Sequence, residues 1–578
     1  MNLEFSYKTR QKAIDRFRSE VFDLLIIGGG ITGASVARDA QSRGLKVALI
    51  EKGDFGSGTS SASSKLIHGG VRYLENFEFK LVFEALSERT HLLKTSPNMV
   101  RPLPFYIPVY ETDPRGKNIL SLGLWLYDLL ALFRAPGFHK RFSKNQMLKE
   151  MPSLKPEGLT GGFMYYDASM WDDVMVVENA RAAYSLGAAV ASYVEGVSPI
   201  WAEVQGRKKI AGFSARDVKH PQSNFEIRAK RTVICAGPWT DLVGESLNQD
   251  SETGSSQSAW RPWLKPSSGI HLVFDSKRFP VKGALLLAHP TDGRIFFVIP
   301  RPDFGAGVTL VGTTDGPSPK NPEDVKTEKN DVDYLLGLLQ VYFPELKLKS
   351  EDVISTYVGV RPLVDPEHLA QAEGKSQSSG GVSLQKVSRE HHIEKGPGGS
   401  IIVAGGKYTT HRTMAQDIVD FTLKAWEEDR WLELAPTPPP YLTSKTKGLL
   451  NPAVHPVALK WIKKKKLPKE WIERFGADAS IVESLSHQYP ETQPSPEGFP
   501  GLAAQFRYVL SREMVMGLDD FYLRRLPLYL ARADHSIPWL EELSHVWQDF
   551  FQKSEEERQA EVARFNLVLA KKKQGYHI

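Results

Sequence analysis

The sequence predicts an α/β fold in which a doubly wound parallel sheet is interrupted by an inserted antiparallel sheet and followed by a helical C-terminal domain. Three observations carry this prediction. Residues 22–51 read as strand, glycine-rich turn, small-residue helix and second strand; residues 231–239 form another apolar strand ending in a turn, far along the chain; and residues 269–312 hold short apolar strands separated by turn residues.

The first unit carries the most chemistry. Gly28 lets the chain turn out of the first strand, Gly30 lets backbone approach a pyrophosphate, and Gly33 lets the helix pack close to the sheet. The helix N-terminus adds amide donors and a positive dipole for phosphates. Glu51 closes the second strand, where a carboxylate takes both hydroxyls of a ribose. An acid there favours an adenosine with a free 2′-hydroxyl, as in FAD or NAD, and disfavours a 2′-phosphate.

The rest of the chain orders itself around that unit. Residues 1–21 form an extension that reads either as an amphipathic arm over the sheet or as a membrane contact. Residues 54–76, rich in Gly, Ser and Thr, read as a long loop over a ligand, and Phe77 to Leu93 as a helix with an apolar stripe. Four prolines make 96–116 strand or loop. Asp172 to Leu186 reads as a helix leading through Gly187 into the strand Ala188 to Val194. Arg231 to Ala236 then returns beside the first strand and ends in Gly237-Pro238-Trp239, as when a nucleotide-binding sheet is completed around an insertion. The inserted strands are Gly269 to Phe274, Ala284 to Leu287, Arg294 to Ile299 and Thr309 to Gly312. Ser400 to Ala404 is a further strand, running through Gly405-Gly406-Lys407-Tyr408-Thr409-Thr410 into a helix from His411 to Trp426. The Pro-rich stretch 435–440 reads as a linker, and the chain from Asn451 onward as helical. The expected division is 22–95, 166–245 and 351–430 for the nucleotide-binding domain, 96–165 and 246–350 for the inserted substrate cap, 431–450 for the linker and 451–578 for the helical domain.

Composition excludes several classes. The length of 578 residues suits two or three domains with sizeable cores, and 41% hydrophobic with 24% charged residues excludes wholesale disorder. The single cysteine, Cys235, excludes an internal disulfide, a multi-cysteine metal site and an iron–sulfur cluster; no metal site is expected. Cys235 reads as a buried small residue beside the cofactor. Residues 1–21 contain no apolar signal core, so the expected compartment is cytoplasmic. Ile119 to Phe133 is apolar but carries Asp128 and falls short of the about 20 residues a spanning helix needs, so a buried helix is expected there. Lys463 to Lys466, between Trp461 and Trp471, reads as a solvated face that can also rest on an anionic membrane. One basic run without a reading motif gives no ground for a nucleic-acid partner.

A resemblance covers nearly the whole chain. The run Thr59-Ser60-Ser61-Ala62-Ser63-Ser64-Lys65-Leu66-Ile67-His68-Gly69-Gly70-Val71-Arg72-Tyr73-Leu74 resembles the signature of FAD-dependent glycerol-3-phosphate dehydrogenase, within the D-amino-acid-oxidase-like flavoprotein superfamily. Val311-Gly312-Thr313-Thr314-Asp315, Gly359-Val360-Arg361-Pro362-Leu363 and Gly405 to Thr410 agree with it in order. The tail, with Arg512-Glu513-Met514 and Leu523-Arg524-Arg525, resembles the family's helical domain.

The resemblance implies an FAD-binding Rossmann-like domain and oxidation of sn-glycerol 3-phosphate to dihydroxyacetone phosphate by hydride transfer from C2 to flavin N5. It implies that Gly28, Gly30, Gly33, Glu51, Thr59, Ser60, Ser61, Lys65, Leu66, His68, Gly69, Gly237, Gly405, Gly406, Lys407 and Thr409 contact FAD. Arg72, Tyr73, Arg361, Lys407 and His271 become the substrate contacts, since guanidinium grips phosphate through two parallel hydrogen bonds and Lys adds a point charge. His271, Arg361 and Lys407 are the catalytic candidates, with His271 preferred over His68 as the proton acceptor and Arg361 able to polarise the C2 oxygen. Quinone is the expected acceptor, which implies a protein peripheral to the cytoplasmic face of the inner membrane, and a homodimer is the expected assembly. An oxidase delivering electrons to dioxygen, a nicotinamide dehydrogenase and a non-catalytic flavin-binding protein are the competing readings.

Overall fold

The run Val21–Ile27 is apolar throughout because both of its faces are covered. Leu24 and Ile26 join one hydrophobic cluster with the helix Ile31–Ser42, whereas Leu25 and Ile27 join another on the opposite side of the sheet. The computed structural model describes residues 4–113, 116–132, 134–247, 260–290, 293–372, 391–429, 460 and 464–573. The linker expected at 431–450 lies outside them.

The first sheet runs in the order His391–Lys395, Ile401–Gly405, Asn224–Ile234, Val21–Ile27, Val47–Ile50, Ala189–Ala191, and its last five strands are parallel. Val21–Ile27 and Asn224–Ile234 lie side by side although about two hundred residues separate them, and the sheet grows outward from each in opposite directions. Their ends form the topological switch point where open α/β sheets bind ligands. The extension at the N-terminus folds as the helix Tyr7–Ser19 and lays Ala13, Ile14 and Phe17 onto the sheet face that holds Leu25. It is the arm over the sheet, pinned by a buried Arg10–Asp217 ion pair at 2.5 Å.

The second sheet is mainly antiparallel, and its residues line one cavity with those of the first. Its strand Ser267–Asp275 pairs with Val308–Gly312 on one side and with Val353–Arg361 on the other. Arg361 thus belongs to the cap sheet, beyond the boundary drawn at 350. Leu159–Met170, paired with Val100–Tyr110, likewise carries the cap sheet past 165.

One element departs from its expected environment. The apolar run after residue 116 is helical over Gly116–Leu130, but only Leu124, Tyr127 and Asp128 are buried. Ile119, Leu122, Trp125 and Leu129 are 53–72% exposed. Tyr127 turns inward to bond Asp167, and nothing among the described residues covers the outer stripe. Hydrophobicity alone does not say which side of a helix finds a partner.

The C-terminal helices are fastened to the first sheet by buried charge. Asp54, just beyond Glu51, accepts from Arg524 Nε at 2.6 Å and from both terminal nitrogens of Arg525 at 2.8 Å. Removing one partner of such a network strands the others in low dielectric, which costs about 3–5 kcal/mol. Asp54→Ala is therefore expected to lower the unfolding free energy measured by denaturant titration by that amount; a value within about 1 kcal/mol of the parent would show that the network contributes little.

Candidate active site

The crevice at the switch point opens into a cavity of about 1130 Å³, above the roughly 300–1,000 Å³ typical of single small-ligand sites. It has room for a dinucleotide and a small substrate together. At its floor, a Cβ on Gly28 would come within 2.4 Å of the Cys235 carbonyl oxygen, and one on Gly33 within 1.9 Å of the Gly28 carbonyl oxygen. These two glycines serve the fold. Gly30 differs: a Cβ there would meet only Ser60 Oγ, at 3.2 Å, so what its missing side chain leaves open is the cradle itself.

Glu51 is oriented before any ligand arrives. Gly29 N–H donates to its Oε2 at 2.7 Å and Gly53 N–H to its Oε1 at 2.8 Å. Burial pushes its carboxyl up from the usual range, against the pull of those two amides. Each oxygen keeps lone-pair capacity for a hydroxyl. Ser60 Oγ accepts from Ile31 N–H at 3.0 Å and so fixes the serine-rich loop to the helix N-terminus, while Thr59 donates to the Val360 carbonyl at 2.6 Å. The same loop thereby reaches the cap strand that carries Arg361.

Gly28, Gly30, Glu51, Thr59, Ser60, Ser61, Leu66, His68, Gly69, Tyr73 and Gly237 line the cavity, as do His271, Arg361, Gly405, Gly406, Lys407 and Thr409. Gly33 lies beneath it. Lys65 does not line it: its ammonium turns away to Asp172 at 2.6 Å and the Ser61 carbonyl at 3.0 Å, and so tethers the loop. The Arg72 side chain lies outside the described residues. Cys235 is buried in the cavity wall with its thiol pushed up to about 12 by desolvation, which makes it inert.

His271 is held with unusual rigidity. Its ring stacks on Tyr357 at 4.5 Å and 6°, and its Nε2 lies 2.9 Å from Ser64 Oγ. Gly312 makes room for it, since a Cβ there would fall 2.4 Å from His271 Cδ2. Burial, reinforced by the charges of Arg361 and Lys65, pushes the imidazole down to about 3. It therefore stands neutral across the physiological range and able to accept a hydrogen bond, while the same burial and charges make it a weak base until an opposing charge arrives.

Arg361 is braced by the cap. Its Nη1 donates to Ser267 Oγ at 3.0 Å and pairs with Asp315 at 3.1 Å; its Nη2 donates to Thr313 Oγ1 at 3.0 Å and the Thr314 carbonyl at 3.1 Å. Lys407 sits over the Tyr73 ring at 3.8 Å, just before the turn Tyr408–Thr410 and the helix His411–Glu428. Ser64, Tyr357 and Asp315 received no role from the sequence. Ser64 stands beside Lys65 in the signature run and Asp315 ends the Val311–Asp315 motif, whereas Tyr357 is recognised only by its stacking in three dimensions.

Residues 23–405 match the family described as FAD dependent oxidoreductase. The alpha-glycerophosphate oxidase of Streptococcus pneumoniae is 32% identical, over 98% of this chain and 98% of that protein. The aerobic glycerol-3-phosphate dehydrogenase of Staphylococcus aureus is also 32% identical, over 89% of this chain and 88% of that protein. Among solved structures, the glycerol-3-phosphate dehydrogenase from Bacillus halodurans complexed with FAD superposes with a TM-score of 0.73 at 27% identity, covering 99% of this chain and 98% of that one.

Proposed function

The chain belongs to the family of FAD dependent oxidoreductases, and from that premise we propose that it oxidises sn-glycerol 3-phosphate to dihydroxyacetone phosphate. The residues present fit the cofactor: the opening at Gly30, the pre-oriented Glu51 carboxylate and a cavity of about 1130 Å³ all suit a dinucleotide. Bound FAD supplies the hydride acceptor; the chain binds, orients and handles the proton.

The observation that carries the substrate reading is that Arg361, Lys407 and His271 line one cavity with the dinucleotide cradle. Arg361 and Lys407, with Tyr73, hold the phosphate, whose oxygens would take over Arg361 donors now given to Ser267 Oγ, Thr313 Oγ1 and the Asp315 carboxylate. His271, neutral and stacked on Tyr357, takes the C2 hydroxyl proton at Nε2 once that hydroxyl replaces Ser64 Oγ as its partner. Anaerobic addition of sn-glycerol 3-phosphate tests this reading. Bleaching of the flavin absorbance is the expected result, and an unchanged spectrum would leave a protein that binds flavin without this chemistry.

The electron acceptor in our reading is a membrane quinone, reached by peripheral docking. The outer stripe of Gly116–Leu130 supports it, together with Phe77 and Phe79 nearby, which are 77% and 41% exposed. Exposed Arg134, Lys140, Arg141 and Lys144 follow that helix, and an apolar face beside cations suits an anionic bilayer surface. No helix among the described residues is long and apolar enough to cross a membrane. The tryptophan–lysine run expected to dock is less suited: Trp471 is buried and donates to the Pro500 carbonyl at 2.6 Å, and Trp461 and Lys463 lie outside the described residues. Each buried Leu or Trp contributes about 1.5–3 kcal/mol, so Leu122→Asp with Trp125→Asp is expected to weaken binding to phosphatidylglycerol vesicles by at least about 100-fold. Wild-type protein that stays in solution during vesicle sedimentation, with reoxidation by air as fast as by a quinone analogue, would favour the oxidase reading instead.

A further inference from the structure

Away from the cavity, three side chains from two elements converge at the outer edge of the first sheet. His392 and Glu394 lie two residues apart on the edge strand His391–Lys395, and so on one face of it. His368 comes from the helix Pro366–Ala372. Nε2 of His368 lies 3.2 Å from Glu394 Oε2, and Nε2 of His392 lies 3.0 Å from the same oxygen. The three donor atoms fall within 4.8 Å of one another.

We propose that His368, His392 and Glu394 form a binding site for a divalent transition metal, Zn²⁺ by the chemistry of the donors, which pins the helix Pro366–Ala372 to the edge strand. Two imidazoles and a carboxylate are a common zinc set, and bonds of about 2.0–2.2 Å in a tetrahedral site hold ligand atoms roughly 3.3–3.6 Å apart. Two of the three separations here are already within about half an ångström of that. The third, between the two imidazoles, is no more than 4.8 Å.

The surroundings favour a bound cation over three loosely placed polar groups. Trp263, itself buried, stacks on the His368 ring at 4.5 Å and 27° and meets His392 edge-on at 5.9 Å. That apolar wall fixes both rings and shields one side, whereas the half-exposed opposite side leaves a fourth position for water. His391, the neighbour of His392, points to the other face of the strand and pairs with Asp417 at 3.2 Å.

The position gives the metal a structural task. The edge strand is hydrogen-bonded to Ile401–Gly405, which opens into the Gly406–Lys407 turn, and the helix follows Arg361 by five residues. A clamp between them ties together two segments that enter the active site, without touching its cavity.

The test uses the flavin-loaded protein, stripped with a chelator and titrated with Zn²⁺ against a chromophoric competitor, with Co²⁺ as a spectroscopic substitute. One bound equivalent is expected, with Co²⁺ bands of a four-coordinate nitrogen–oxygen site. Losing an outer-shell partner of a metal site costs about 10–100-fold in affinity, so His368→Ala and His392→Ala, which remove ligands, are expected to cost at least about 100-fold. His391→Ala is expected to keep wild-type affinity. Flavin content and far-ultraviolet circular dichroism check that each variant is folded. Absence of a stoichiometric ion in the parent protein, or equal affinity in the parent and the folded His368→Ala variant, would overturn the proposal. The Co²⁺ spectrum of the parent decides the matter if a variant fails to fold.

Discussion

Gly30→Val is expected to produce a folded but colourless protein. The three glycines of the turn have different duties, and only this one can be changed without the chain itself objecting. Gly28 has φ +108°, and side chains at Gly28 or Gly33 would collide with backbone carbonyls at 2.4 and 1.9 Å. Gly30 has φ −73°, a conformation open to any residue, and its nearest obstacle is the movable Ser60 hydroxyl at 3.2 Å. The valine methyl groups would instead occupy the space of a pyrophosphate at the helix N-terminus. Complete loss of flavin absorbance after desalting is the expected measurement, with a melting temperature near that of flavin-free parent protein. A yellow, stoichiometrically loaded variant would remove the pyrophosphate from this turn.

Arg361→Ala is expected to reduce kcat/KM for glycerol 3-phosphate by about 100-fold, because even one charge-assisted hydrogen bond to the phosphate contributes about 1.5–3 kcal/mol. The loss is compounded by Asp315, which in the parent protein is neutralised by Arg361 at 3.1 Å and in the variant would face the phosphate as an uncompensated like charge. Arg361→Lys should recover only part of the rate, since an ammonium restores charge but not the planar fork. Steady-state kinetics on flavin-loaded variants give the answer. Unchanged kcat/KM in Arg361→Ala would take this residue out of the site.

The local parts of this molecule are legible in its sequence. Gly28, Gly30, Gly33 and Glu51 lie within a single strand–helix–strand unit, so their spacing alone dictates their roles, and the pairing of Arg231 to Ile234 with the first strand follows from its apolar run and its turn. What the sequence hides depends on distant partners. Val353–Arg361 falls in the span 351–430 expected for the nucleotide-binding domain, and only its register against Ser267–Asp275 assigns it to the cap. Lys65 stands in a cofactor motif, yet Asp172, more than a hundred residues away, draws its ammonium out of the cavity. The helix Gly116–Leu130 has the composition of a core helix and exposes it, because burial is settled by what packs nearby. Asp54 and Arg525 look like ordinary surface charges until the fold brings them to 2.8 Å.

The central claim is that one cavity aligns a phosphate-gripping Arg361 and a neutral His271 with the flavin cradle. A crystal structure of the flavin-loaded protein with sn-glycerol 3-phosphate bound under anaerobic conditions tests it most directly. Phosphate oxygens within hydrogen-bond distance of Arg361 and Lys407, with the C2 hydroxyl at His271 Nε2, is the predicted arrangement. Substrate seated elsewhere, or with its C2 hydroxyl turned away from His271, would contradict it.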